Sequence, residues 1–117
     1  LLQHIDKKNN KKIVLKTLSD IHIVDTSHIV FCKADSSYTQ FNLIEKKQLI
    51  VSGNLKNFED LLDRHDFLRV HHSYLVNINH IKQFHRLGSI YLCMVDGTHI
   101  PVSSRKKEHL IDLFNKL

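Results

Sequence analysis

Three short polar stretches carry the side chains best suited to recognition or chemistry. The first is Arg69-Val70-His71-His72-Ser73-Tyr74, set between two apolar runs. Arg, His and Ser all donate hydrogen bonds to phosphate oxygens, and Arg and His also reach base edges. Polar connections between strands are where proteins place contacts to partners. The same string also suits an exposed turn of ordinary surface residues. The second stretch, Val102-Ser103-Ser104-Arg105-Lys106-Lys107, puts three cations where a helix is expected to begin. A helix N-terminus prefers anions, so each misplaced cation costs about 0.3–1 kcal/mol. A phosphate docked on the free N–H groups and the cations would offset that cost; a solvated basic turn would simply bear it. The third, Ala34-Asp35-Ser36-Ser37-Tyr38-Thr39, is a small polar loop entering a strand, with several donors and one aromatic ring. Taken alone it reads as a loop.

Catalysis finds no positive support in the chain. It holds no GxSxG, no Walker loop and no GxGxxG, and its three glycines cannot build a phosphate cradle. No familiar hydrolase pattern joins its acidic residues to its histidines. We therefore expect no catalytic residue, no cofactor and no enzyme. Ten histidines raise the question of metal. His71 and His72 are adjacent, so on a strand they would point to opposite faces and could not share an ion. His80, His85 and His99 lack Cys or carboxylate partners at ligand spacing, so no metal site is expected. Cys32 and Cys93 each lie inside an apolar run without CxxC spacing. They read as buried free thiols of a reducing compartment.

Several short elements must position these stretches. Residues 1–12 end in the polar run DKKNNKK and read as a linker or the end of a preceding segment. The runs 13–15, 21–24 and 28–32 are rich in Ile and Val, which favours strands. Residues 38–43 place bulky groups at loose alternation, as a half-buried strand does, and 49–51 forms a further short strand. Asn54 is placed to cap a helix whose Leu55, Phe58, Leu61 and Leu62 share one face, closing one end of the sheet core. Lys56, Asn57, Glu59, Asp60 and Asp63 would face water. Strands follow at 67–70, 74–78, 80–84 and 90–95, with Leu87-Gly88-Ser89 and Asp96-Gly97 as hairpin connections. Ile100-Pro101-Val102 forms a last strand at an edge. A helix over 104–116 ends the chain, with Leu110, Ile111, Phe114 and Leu117 as its stripe. The pattern predicts a mainly β fold, and the lack of two helices joined by a short turn argues against a helix-turn-helix.

Bulk properties narrow the partner. The 117 residues, 42% hydrophobic and 25% charged, are those of one globular domain with a single core. No stretch approaches the length of a membrane span, and no signal peptide is visible. Seventeen Lys and Arg face twelve Asp and Glu, a net charge of +5 with His neutral. Such a surface attracts nucleic acid or another polyanion. The chain starts at Leu1 rather than Met, and we expect it to be a piece of a longer protein.

The string Phe67-Leu68-Arg69-Val70-His71-His72-Ser73-Tyr74-Leu75-Val76-Asn77, followed by Ile81, resembles the LytTR family of bacterial transcription-factor domains, which carry F-x-R-x-H-x-S-[YF]-[LIV]-V-N and then an Ile. The likeness continues through Asp96-Gly97 and Ile100-Pro101-Val102-Ser103, with Arg105 just after. Upstream, residues 29–35 with Tyr38-Thr39 are similar to the family's strand and loop, and 55–62 to its short helix. Together the match spans about residues 13–115.

The resemblance implies an elongated arrangement of small antiparallel sheets with a short central helix and a C-terminal helix, over a domain at 13–117. It implies a sequence-specific duplex DNA-binding output domain of a transcriptional regulator, usually two-component, in the cytoplasm. Loops, rather than a recognition helix, would enter the grooves. Ser36, Ser37 and Tyr38 would lie on one contacting loop, Arg69, His71, His72 and Ser73 on a central one, and Ser103, Arg105 and Lys106 on a third. Phe67, Tyr74, Val76 and Asn77 would be framework. An upstream receiver domain, paired DNA repeats and a dimer on DNA are implied as well, and no membrane contact. At position 72 the family often has Arg or Asn; a neutral His lacks their fixed charge or donor set and makes pH-dependent binding an expectation. The alternative reading is a small β-barrel protein-interaction module whose basic loops meet an acidic partner.

Overall fold

β-Branched and aromatic residues at period two build the molecule as a set of antiparallel hairpins. The structure, a computed structural model, describes residues 12–63 and 66–117. The strands are β1 (Lys12–Lys16), β2 (Ile21–Asp25), β3 (Ile29–Asp35), β4 (Tyr38–Leu43), β5 (Gln48–Ser52), β6 (Phe67–His71), β7 (Tyr74–Asn77), β8 (Ile81–His85), β9 (Tyr91–Met94) and β10 (His99–Pro101). Two helices, α1 (Leu55–Leu62) and α2 (Lys107–Asn115), accompany them. A five-stranded sheet, ordered β5-β4-β3-β7-β6, forms the centre. A two-stranded sheet, β1-β2, and a three-stranded sheet, β10-β9-β8, flank it. The expected linker at 1–12 falls outside the described residues except for Lys12, which already belongs to β1.

The central sheet is buried on both faces, and this corrects the expectation of a single core. Ile13, Leu15 and Val24 of the β1–β2 hairpin pack with Leu55, Phe58 and Leu62 of α1 against Ile29, Cys32, Phe41 and Leu75. On the other face, Val30, Phe31, Val70 and Val76 meet Leu92, Met94 and Ile100 of the small sheet and Leu110 of α2. Strict alternation would send Val30 and Phe31 to opposite faces. A register shift between Ile29 and Phe31 in the β3–β4 pairing lets both join the second core.

Local chemistry explains the element ends. The Asn54 side chain accepts from the backbone N–H of Asn57 at 3.0 Å and so caps α1. Phe58 then meets Phe41 edge-on at 4.9 Å, worth about 0.5–1.5 kcal/mol beyond its burial. Asn77, 2% exposed, donates to the carbonyl of Ile29 at 2.9 Å and accepts from the N–H of Asn79 at 2.9 Å. It thus pins β7 to the turn before β3.

Four further expectations change. Helix α1 lies across a sheet face instead of closing an end, because its buried face meets β3, β6 and β7. Leu61 and Leu117 are exposed: Leu61 sits off the stripe of α1 that Leu62 occupies, and Leu117 lies beyond the end of α2. Cys32 is buried, whereas Cys93 is only partly so, on the outer side of β9. The predicted helix over 104–116 is divided: Ser104–Lys106 is a separate 3-10 turn, and α2 begins at Lys107.

Candidate nucleic-acid interface

The stretch from Ala34 to Thr39 forms the tip of the β3–β4 hairpin. Asp35 pairs with Tyr38, so Ser36 and Ser37 form a two-residue turn. Ser36 stands at φ 56°, a region that a residue with a Cβ occupies at a cost. Ser36, Ser37 and Tyr38 are all exposed, and the Tyr38 ring remains accessible. The tip is anchored from below: the N–H of Gly53 donates to the carbonyl of Ser37 at 3.1 Å, and the buried Thr39 hydroxyl donates to the carbonyl of Gly53 at 3.0 Å.

The stretch from Arg69 to Tyr74 holds the β6–β7 turn. His71 pairs with Tyr74, and a register shift between Arg69 and His71 twists the strand just before it turns. His72 lies in the turn beyond the end of β6, so the expectation that His71 and His72 point to opposite faces of a strand is overturned. Their rings stack, with centroids 4.5 Å apart. The N–H of Ser73 donates to Nδ1 of His71 at 3.1 Å. In the neutral ring this leaves the proton on Nε2. Burial holds the His71 imidazole below its ordinary range, and the charges of His72 and Arg69 push the same way. His72 is exposed, while His71 and Ser73 are half-buried.

Arg69 is turned into the protein. Its Nε donates to the carbonyl of His71 at 2.9 Å, and a terminal nitrogen donates to the carbonyl of His72. The other terminal nitrogen pairs with Glu59 of α1 at 2.8 Å. The expectation that Glu59 faces water is thereby corrected. No local signal in the sequence joins these two residues; only the docking of α1 on the sheet does.

The stretch from Val102 to Lys107 follows β10. Ser103 donates its N–H to the carbonyl of Val70 at 2.9 Å, so this loop runs beside the end of β6. Arg105 is exposed and Lys106 half-buried, both on the 3-10 turn. The cations therefore precede the helix instead of occupying its first turn, apart from Lys107. Glu108 in that first turn has the sign the dipole favours.

Strand register brings the three stretches together. Lys33 pairs with Tyr74, and the N–H of Ala34 donates to the carbonyl of Ser73 at 2.9 Å, so both hairpin tips project from the same end of the central sheet. The Ser103–Val70 bond attaches the third loop to that end. The result is one surface with the donors of Ser36, Ser37, Tyr38, His71, His72, Ser73, Ser103, Arg105 and Lys106. Phe67 and Val76 are core residues, Asn77 is a buried tie, and Tyr74 packs against Phe31. Among the described residues, no three His, Cys, Asp or Glu side chains stand close enough to hold a metal ion. Such a surface offers donors and positive charge to a polyanion.

Comparison with known proteins agrees with this arrangement. The family model of the LytTr DNA-binding domain matches residues 19–115. The sensory transduction protein LytT of Bacillus subtilis (strain 168) is 33% identical over 106 residues, which cover 89% of this chain and 44% of that protein. The CO-responsive transcriptional regulator RcoM of Rhodospirillum rubrum is 28% identical over 95 residues, 79% of this chain and 40% of that protein. The chain thus spans less than half the length of these relatives. The solved LytTr DNA-binding domain of a Bacillus cereus methyl-accepting/DNA response regulator superposes with a TM-score of 0.76 at 29% identity, covering 89% of this chain and 96% of that one.

Proposed function

This chain belongs to the LytTr DNA-binding domain family, and from that premise we propose that its three clustered loops enter the grooves of duplex DNA and read its sequence. It is a DNA-binding domain of response-regulator-type transcriptional regulators, and the family is not one of enzymes. The observation that carries the loop mechanism is the convergence of Ser36–Tyr38, His71–Ser73 and Ser103–Lys106 at one sheet end, through the Ala34–Ser73 and Ser103–Val70 bonds. In this reading Arg105 reads a base edge from the major groove, since its planar fork matches guanine acceptors. Lys106 and the serines contact phosphates, and His71 offers its Nε2 proton. Arg69 lies on β6 just before the central loop, with its guanidinium at the base of the turn.

The proposed domain occupies 13–117, with 1–12 as a linker. Its place is the output end of a two-component regulator in the cytoplasm, behind a receiver domain, with two copies on paired repeats. No helix among the described residues is long and apolar enough to cross a membrane.

Replacing Arg105 by Ala tests the mechanism. On a duplex enriched by the wild-type chain from a random library, binding should weaken by about 1–3 kcal/mol and specificity should relax at one position. An unchanged affinity and an unchanged sequence preference would refute the assignment.

A further inference from the structure

Helix α1 is linked to both hairpin tips of the interface through its neighbours, and its one cation, Lys56, pairs with Asp60 at 3.3 Å. Its start is tied to the first tip: Gly53, two residues before the helix, bonds to Ser37 and Thr39. Its middle is tied to the second tip through Glu59 and Arg69. Arg69 in turn grips the two carbonyls, of His71 and His72, whose orientation sets the direction of the turn.

We propose that Glu59 and Arg69 form a positioning latch through which α1 sets the shape of the His71–Ser73 turn and its spacing from the Ser36–Tyr38 tip. The inference rests on the DNA-binding reading above and assigns Arg69 to shaping the surface in place of contacting DNA. The geometry favours this role. The guanidinium is oriented by one carboxylate oxygen and two carbonyls, all within the protein, and its side chain is 21% exposed against 30% for Glu59. A carboxylate near a DNA surface also works against phosphate affinity on charge alone, so Glu59 must act by position if it helps. Release of the latch frees the guanidinium and lets both carbonyls rotate, which changes where His71 and His72 present their donors. The cost appears in recognition, because bonds to base edges need fixed geometry and phosphate attraction does not.

Binding is measured on the full 117-residue chain, with a duplex enriched by the wild type from a random library and with a random duplex, across a range of KCl. E59A should weaken binding to the enriched duplex by about tenfold while the random duplex, which feels only the lost negative charge, binds as tightly as before or tighter. E59Q keeps a carbonyl acceptor at the same reach and should restore most of the loss. R69Q should weaken the enriched duplex likewise with an unaltered salt slope. The latch is overturned when E59A and E59Q both bind the enriched duplex as tightly as wild type or tighter, which is the result of pure charge removal. It is overturned equally when R69Q lowers the salt slope by about one unit, the mark of a lost phosphate contact. Thermal melts confirm that each variant is folded. Amide resonances of the free protein give a readout independent of DNA: E59A should move those of residues 71–73. Unmoved resonances sink the latch, whereas a wild-type chain that enriches no duplex sinks the DNA reading.

Discussion

Ser73 holds His71 by a backbone N–H on Nδ1, and that single bond links protonation to the form of the turn. A proton on Nδ1 would remove the acceptor. Burial favours the neutral ring in the fold, so its folded value lies below that of the unfolded chain, about 6.5 for a free imidazole. The stabilising contribution is complete above that ordinary value. As pH falls through it, the unfolded chain takes up the proton first, and stability declines until the folded value is passed. Wild type should therefore lose more Tm between about pH 7.5 and about pH 5.5 than His71→Gln. Equal losses in the two proteins would show that His71 is not coupled to folding. At this scale the string around His71 was legible as polar and as family-like. The direction of each side chain was not, because β6 ends at His71 and the turn that holds His72 stacks two rings that strand alternation would separate.

Gly53 shows how one element is joined to the next. It stands at φ 122°, and a Cβ there would lie 3.2 Å from Cε2 of Phe58. Its N–H and carbonyl both serve the first hairpin tip. Gly53→Ala should destabilise the domain by about 1–3 kcal/mol through backbone strain and crowding. Urea denaturation measures this as a lower midpoint with an unchanged slope; a wild-type midpoint would rule the account out. The existence of the strands was readable from Ile, Val, Phe and Tyr spacing, and so was the Asn54 cap. The break between the 3-10 turn and α2 was not. Ser104 to Lys116 carries no Pro or Gly to signal it, and the turn's position depends on Ser103 bonding to Val70, a distant strand.

The described residues measure 45 × 36 × 25 Å. The chain's net charge of +5 supplies attraction to any duplex, while the loop cluster supplies selection. The logarithm of the binding constant should fall linearly with the logarithm of salt, with a slope of about −0.9 per phosphate neutralised. A flat response would leave the basic surface without a nucleic-acid role.

From the sequence alone came the class of elements, the basic balance, the family and the three stretches that meet at the interface. These follow from composition, short-range periodicity and a string long enough to be specific. Tertiary structure alone decided that the central sheet has two cores, that Glu59 reaches Arg69 and that the three stretches share one end. Each depends on pairing between residues far apart in the chain, where register and bulges, not local propensity, set which side chains meet.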